Sequence, residues 1–68
     1  MKIHAKTEAF AKARILKGLT QRELAARCGI SYAYISLLER SLKSVGPATA
    51  KRISEELEKP VEEIFVFK

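Results

Sequence analysis

Cysteine and histidine are scarce in this chain, which contains one residue of each type among 68. A single cysteine cannot form a disulfide within the chain, and one cysteine with one histidine cannot supply the ligand set of a zinc site. We therefore predict no metal and no cofactor. Cys28 is interpreted as a small buried apolar residue on the inner face of its helix, not as a reactive thiol.

Long hydrophobic runs are also absent, since no apolar stretch approaches the roughly 20 residues that span a bilayer. The first residues, MKIHAK, lack a hydrophobic signal core. We predict from this that the protein has no membrane contact and is cytoplasmic. The length predicts one domain over residues 1–68 with a small core, because a chain of this size buries only about 60% of its unfolded surface.

No residue pattern of an enzyme is present. The three glycines stand apart and do not form a phosphate-binding loop. His4 has no carboxylate near it in sequence that could make it a catalytic base, and Glu55, Glu56 and Glu58 are interpreted as solvated charges at a helix end. We predict that the chain is not an enzyme, and no small-molecule ligand is indicated.

Positive charge is concentrated in the first three quarters of the chain. Residues 1–52 carry 11 Lys or Arg and three Glu, a net charge of +8, whereas residues 53–68 carry two Lys and five Glu, a net charge of −3. A basic surface attracts polyanions, because each neutralised phosphate releases condensed counterions. The distribution favours a nucleic acid as the partner of the basic part.

The segment from Thr20 to Arg40 predicts two short helices around a glycine turn. Thr20 and Ser31 are N-cap residues, and Gly29 between them can adopt the positive φ that ends a helix. The buried positions are predicted at helical spacing in both helices: Leu24, Ala25, Cys28, Ile35 and Leu38. Four residues of the second helix are then left facing outward: Tyr32, Ala33, Ser36 and Leu37.

Helices are also predicted on both sides of this pair. The first begins with Thr7 as N-cap and buries Phe10, Ala13 and either Leu16 or the stem of Lys17. Ile15 and Leu16 are adjacent, so at least one of them is exposed unless the termini or a second subunit cover it. The fourth helix starts at Pro47 and buries one face: Ala50, Ile53, Ser54 and Leu57, with the Ser54 hydroxyl bonded to the preceding turn.

The loop between Arg40 and Pro47 and the C-terminal end complete the prediction. Leu42 and Val45 are expected to close over the core, while Arg40, Lys43 and Ser44 stay free for phosphates. After Pro60, a one-turn helix is followed by IFVFK, which is too apolar for a small core to bury entirely. Two compatible outcomes are open: a two-stranded ribbon with Lys2 to Ala5, or a dimer interface formed by Ile64, Phe65, Val66 and Phe67.

These residues resemble the phage repressor and Cro-type (XRE) helix-turn-helix family from about Phe10 to Phe65. The resemblance rests on several matching segments of the central motif: Thr20-Gln21, Glu23-Leu24-Ala25, Gly29-Ile30-Ser31, Tyr34-Ile35-Ser36 and Leu38-Glu39-Arg40. It implies an all-α domain of five short helices, similar to the lambda-repressor DNA-binding domain, with the second helix of the motif in the DNA major groove.

The resemblance also implies roles for single residues. Tyr32, Ala33, Ser36 and Leu37 match positions that meet base edges, and the expected phosphate contacts are Gln21, Ser31, Tyr34, Arg40, Lys43 and Ser44. For Tyr34 a half-buried ring without a DNA contact is an equal alternative. Arg14 is expected to pair with Glu39, and Ser41 stands where the family usually has glycine.

The resemblance implies a transcriptional regulator of the repressor type, which binds double-stranded DNA as a homodimer on a palindromic operator. The recognition helix lacks the Arg, Gln or Asn that many relatives use for bidentate base contacts, so modest discrimination is expected. The alternatives are an antitoxin or other interaction module that docks a protein partner through its apolar C-terminus, and a nonspecific nucleoid-type binder.

Overall fold

The computed structural model describes residues 1–68 and contains five helices and two short strands. The strands are β1 (Ile3–Ala5) and β2 (Phe65–Phe67). The helices are α1 (Thr7–Leu16), α2 (Gln21–Cys28), α3 (Tyr32–Glu39), α4 (Pro47–Leu57) and α5 (Val61–Ile64). The predicted all-α class with a terminal β pairing is confirmed. None of these helices has the length and apolarity that crossing a membrane requires.

One apolar core joins all five helices and the ribbon. Its centre is formed by side chains that are almost completely buried, among them Phe10, Leu24, Ile35, Ile53 and Phe65. The rings of Phe10 and Phe65 meet edge to face, with their centroids 5.8 Å apart. This arrangement suits the quadrupoles of two aromatic rings and attaches the C-terminal end directly to α1.

The termini pair as an antiparallel ribbon in which Ile3, His4 and Ala5 lie opposite Phe67, Val66 and Phe65. The outer side of β1 forms one further bridge, because the N–H of Val45 donates to the carbonyl of Ile3 at 2.9 Å. Val45 therefore closes over the core as predicted, whereas Leu42 is exposed, and the prediction for Leu42 is wrong.

Part of the predicted dimer interface is wrong as well. Ile64 and Phe65 are each only 1% exposed, because the short α5 turns them into the chain's own core. A second subunit cannot cover side chains that are already buried in this way. Val66 is half-buried and Phe67 is 46% exposed, so only these two members of the predicted set have surface left.

Three predictions about α1 and α4 are also corrected. The N-cap of α1 is Lys6, which makes no side-chain cap, and Thr7 is already the first helical residue. Ile15 and Leu16 are both exposed, which agrees with the prediction that at least one of them is, but neither Leu16 nor Lys17 joins the inner face of α1, whose last buried residue is Ala13. Ser54 is buried, but its Oγ has no hydrogen-bond partner.

Candidate nucleic-acid interface

Side-chain caps define the start of both helices in the α2–α3 pair. Thr20 Oγ1 accepts a hydrogen bond from the N–H of Glu23 at 3.0 Å, and the Glu23 carboxylate accepts one from the N–H of Thr20 at 2.8 Å. This reciprocal capping box satisfies two backbone donors at the start of α2. Ser31 caps α3 by accepting from the N–H of Tyr34 at 3.1 Å. The caps of Thr20 and Ser31 were predicted from the sequence, whereas the returning bond of Glu23 was not.

The turn between the two helices depends on Gly29. Its φ of 71° lies in the left-handed region, where a residue without Cβ carries no penalty. The N–H of Ile30 donates to the carbonyl of Ala25 at 3.0 Å, which closes the end of α2 before Ser31 starts the next helix. The three residues between the helices, Gly29 to Ser31, therefore set the angle between α2 and α3.

A partly buried ion pair ties α3 to α1, as predicted. Arg14 Nε donates to Glu39 Oε1 at 2.7 Å and Arg14 Nη2 donates to Glu39 Oε2 at 3.1 Å. The same guanidinium donates through Nη1 to the carbonyl of Leu19 at 2.8 Å. The side chains of Arg14 and Glu39 are only 14% and 9% exposed. Two parallel bonds with little solvent give this pair a definite geometry.

Gln21 adds α2 to this connection, because its Nε2 donates to Glu39 Oε2 at 3.1 Å. The carboxylate of Glu39 thus receives hydrogen bonds from α1 and α2 while it belongs to the last turn of α3. Three helices are held in one arrangement by a single acidic side chain. We conclude that the outward face of α3 is presented at a fixed orientation.

The outward face of α3 contains the four residues predicted to meet bases. Tyr32 and Ala33 are exposed, and Ser36 and Leu37 are half-buried. On the opposite face Ile35 and Leu38 are completely buried. The division between the two faces is therefore the predicted one, and all four side chains are accessible to a partner. Their contact with bases stays a prediction.

Arg22 is a basic residue at this surface that the sequence reasoning did not single out. Its guanidinium carbon lies 4.2 Å from the centre of the Tyr32 ring, a cation–π contact between α2 and α3. The two side chains line an open depression of about 350 Å³ together with Arg14, Thr20 and Gln21. The available signal was its position: a cation in the first turn of α2, directly after Gln21.

The chain matches a family model over this region. The model is described as a helix-turn-helix and matches residues 10–64. The chain belongs to this family. Its members include the XRE-type regulators, whose paired helices bind DNA. No curated protein sequence matches the chain.

A solved structure with a similar fold is the crystal structure of a hypothetical transcription factor, NHTF, from Neisseria. It aligns with a TM-score of 0.74 and 26% sequence identity over 79% of this chain. This chain spans 61% of the length of that one. The likeness supports the helix-turn-helix fold over most of the residues.

In this helix-turn-helix chain the predicted phosphate contacts are of two kinds. Arg40 and Lys43 have exposed side chains without a carboxylate partner, so their charges are available. Ser31 is exposed as well, and its hydroxyl proton is free while its oxygen caps α3. These three contacts stay predictions with a consistent geometry.

Of the other predicted phosphate contacts, Gln21 and Tyr34 already have side-chain partners within the chain, whereas Ser44 is half-buried and only its backbone carbonyl accepts a hydrogen bond. Gln21 donates to Glu39, and the hydroxyl of Tyr34 donates to the carbonyl of Ser44 at 3.0 Å. Tyr34 is half-buried against the core, which corresponds to the structural alternative considered for it. A phosphate contact of Tyr34 as donor requires its bond to Ser44 to be exchanged, because a hydroxyl has one proton.

The departure from the family at Ser41 has a structural consequence. Ser41 has a φ of 60°, so it adopts the left-handed conformation that glycine would occupy without strain. The N–H groups of Ser41 and Leu42 donate to the carbonyls of Leu38 and Leu37, both at 2.9 Å, and so end α3. Ser41 therefore ends α3 in a conformation that carries backbone strain for a residue with a side chain.

No metal-binding cluster accompanies this surface, because no three His, Cys, Asp or Glu side chains lie close enough together to hold an ion. Cys28 is buried in α2, and desolvation raises the pKa of its thiol above the ordinary value. A thiol of this kind stays protonated at neutral pH and reacts slowly.

Proposed function

We propose that this chain is a sequence-specific transcriptional regulator that reads double-stranded DNA with α3. The observation that supports this most directly is the Arg14–Glu39–Gln21 cluster, which fixes α3 with Tyr32 and Ala33 exposed. A reading helix must be held rigidly, because base contacts depend on distances within a few tenths of an ångström. The basic part of the chain around it supplies attraction to phosphates.

The side chains on α3 predict that only a few direct contacts read the bases. Ala33 and Leu37 offer methyl groups to thymine, and Tyr32 and Ser36 offer hydroxyls, but none offers a bidentate pair to guanine or adenine. Specificity then depends on few direct contacts and on DNA shape sensed by the basic rim. We expect modest discrimination by each copy of the chain.

We further propose that two copies act together on an inverted repeat. One copy measures 30 × 20 × 19 Å, so it covers about one half-site when half-sites are about 34 Å apart. A single domain of this size makes few contacts, and tight specific binding at physiological salt needs more surface than that. When two copies bind one operator, the base preferences of both copies contribute, so the selectivity of the pair is greater than that of one copy.

The test is selection of bound fragments from a pool of randomised DNA at about 0.15 M salt, where nonspecific binding is weak. Enrichment of an inverted repeat is the expected result. Ala33→Glu should abolish this enrichment, because it places a carboxylate on the outward face of α3. Leu16→Glu is the matched control: it changes the net charge equally at an exposed site beside α5 and should keep the enrichment.

Recovery of DNA without any enriched sequence would favour the nonspecific binder instead. Failure to recover DNA at all would overturn the proposal. The interaction module that docks through an apolar C-terminus has less surface than the sequence indicated, since Ile64 and Phe65 are buried. A partner protein would have to bind the remaining exposed ring of Phe67.

A further inference from the structure

Arg22 is an exposed cation in the first turn of α2 that has no acidic partner within the chain. Neither of the chain's two ion pairs involves it, and the carboxylate of the adjacent Glu23 accepts the N–H of Thr20 in the capping box. No acid lines the depression beside Arg22, and the other arginine there, Arg14, is neutralised by Glu39. The guanidinium donors of Arg22 are therefore available to a partner outside the chain.

The guanidinium of Arg22 is nevertheless held in one place. Its central carbon lies over the ring of Tyr32, 4.2 Å from the ring centre. A guanidinium that stacks on an aromatic face keeps its N–H groups in its own plane, so they point outward from the stack. Tyr32 is the first residue of α3. The stack thus holds the donors of an α2 side chain beside the N-terminal end of the helix that is proposed to read DNA.

This position and this donor pattern together select one acceptor. In a docked helix-turn-helix, the N-terminal residues of the second helix contact base edges in the major groove. Arginine has donors only, and guanine is the base that presents two acceptors, N7 and O6, on that edge. Adenine presents one acceptor beside a donor, and thymine presents one acceptor beside a methyl group. A planar fork of N–H groups therefore matches guanine at two points.

We propose that Arg22 reads a guanine through N7 and O6, and that the ring of Tyr32 is what positions it. The bidentate contact that the side chains of α3 cannot make is then supplied from α2. Each half-site should contain one strongly fixed guanine among weakly fixed bases. This inference rests on the proposed function, because it names a base that the proposed regulator recognises.

The first experiment compares the sequences that the native chain and Arg22→Ala select from a pool of randomised DNA at about 0.15 M salt. The native chain should enrich repeats with one guanine in each half-site. Arg22→Ala should lose the preference at that base pair by about tenfold or more and keep the preferences at the others. Arg27→Ala is the matched control, since it removes an exposed cation from the last turn of the same helix and should keep the guanine.

The outcomes of this selection separate the two proposals. Retention of the guanine by Arg22→Ala would overturn the inference and leave the proposed function standing. An equal loss of affinity for all sequences, with a lower salt slope, would overturn it as well, because a phosphate contact behaves in this way. A pool that the native chain does not enrich at all would remove the proposed function, and this inference with it.

Two variants of Tyr32 separate positioning by the ring from a contact of the hydroxyl. Tyr32→Phe keeps the ring and should retain the guanine preference, whereas Tyr32→Ala should lose most of it. The ring is 42% exposed, so neither change disturbs the core. In NMR spectra of the free chain, the ring should shift the side-chain protons of Arg22 upfield in Tyr32→Phe but not in Tyr32→Ala. Equal guanine preference in the two variants would overturn the positioning role.

The last measurement replaces single atoms of the guanine in the selected fragment. Deoxyinosine lacks only the minor-groove amino group and keeps N7 and O6, so the native chain should bind it as well as guanine. Replacement of N7 by carbon, in 7-deazaguanine, should weaken binding of the native chain about fivefold or more. It should cost Arg22→Ala nothing further, because the partner of N7 is then already absent. Independent, additive losses from the two changes would overturn the inference.

Discussion

The helix-turn-helix and the terminal ribbon of this chain are stabilised in opposite ways. In α2 and α3 most defining contacts are polar and local: the caps of Thr20 and Ser31 act over three residues. In the ribbon they are apolar and distant in sequence, since Ala5 lies opposite Phe65. The first region leaves a face free for a partner, and the second fills the core. Recognition and stability are thus largely assigned to different parts of the chain.

The largest effect is expected from the apolar region. Phe65→Ala removes a fully buried ring that packs against Phe10, and we expect it to cost about 3–5 kcal/mol of unfolding free energy because it leaves a cavity. Phe67→Ala is the matched control two residues away, where the ring is exposed and a much smaller loss is expected. Urea unfolding measures both. Similar losses would mean that β2 is not positioned as described.

An effect of nearly the same size is expected in the polar region from Arg14→Ala. It leaves the buried carboxylate of Glu39 without its main partner, which costs about 3–5 kcal/mol in comparable cases. Lys17→Ala is the control, since it breaks the solvent-exposed pair with Glu58 and should leave stability unchanged. If Arg14→Ala were as mild as Lys17→Ala, the three-helix connection through Glu39 would not determine the orientation of α3.

The contrast between the regions also explains what could be predicted. Both caps, the turn at Gly29 and the Arg14–Glu39 pair follow from residues close in sequence or from a family motif, and the structure contains them. The burial of Ile64 and Phe65 could not be predicted in this way, because it depends on how α5 packs against α1 and α4. The sequence indicated that the apolar C-terminal end was too large for the core. The structure buries two of its four residues, Ile64 and Phe65.

The individual predictions that were wrong or missing also depend on contacts with other elements of the fold. Thr7 has the side chain of an N-cap, but the chain enters α1 directly from β1 at Lys6, so the helix starts one residue earlier than the cap signal predicts. Leu42 was expected inside, yet Val45 reaches the core through its bridge to Ile3, a residue more than 40 positions away. Arg22 was missed because its contact is with Tyr32 in the next helix.

Within the helix-turn-helix, base reading and phosphate binding can be separated. Leu37→Ala should relax preference at one base pair, with discrimination lost by about 1–3 kcal/mol. Arg40→Ala should weaken binding to all sequences alike and lower the slope of log K against log salt by about 0.9. Affinities for the selected operator and for scrambled DNA, measured at several salt concentrations, distinguish the two. Identical behaviour of both variants would contradict the assigned roles.

Two left-handed residues at the ends of α2 and α3 provide a smaller test. Ser41→Gly should stabilise the chain by about 1 kcal/mol, because it removes the strain of a side chain at positive φ. Gly29→Ala should destabilise the chain by about 1–2 kcal/mol, because a residue with a Cβ is strained at positive φ. Backbone strain is the whole expected effect, since the added Cβ would meet no atom within 4 Å. Urea midpoints at constant m-value measure both changes. A loss of stability in Ser41→Gly would reveal a contact of the hydroxyl that outweighs the strain.

The smallest effect concerns pH at the start of α2. The hydrogen bond from the Thr20 N–H, with a further contribution from its side chain, lowers the pKa of Glu23 below the ordinary value. A lowered pKa in the folded state means that the stabilisation is complete above the unfolded-state pKa of about 4.3. It is lost as the pH falls through the folded-state pKa. The difference in Tm between the native chain and Glu23→Gln should therefore shrink on acidification.

The exposed Glu58 provides the comparison for this last prediction. A hydrogen bond from Lys17, reinforced by its charge, lowers the pKa of Glu58, so Glu58→Gln should show the same sign of pH dependence. High salt should remove much of the effect at Glu58, because an exposed ion pair is screened. It should leave most of the effect at Glu23, where the main partner is a backbone N–H. Equal salt sensitivity would show that the capping box of α2 acts mainly through charge.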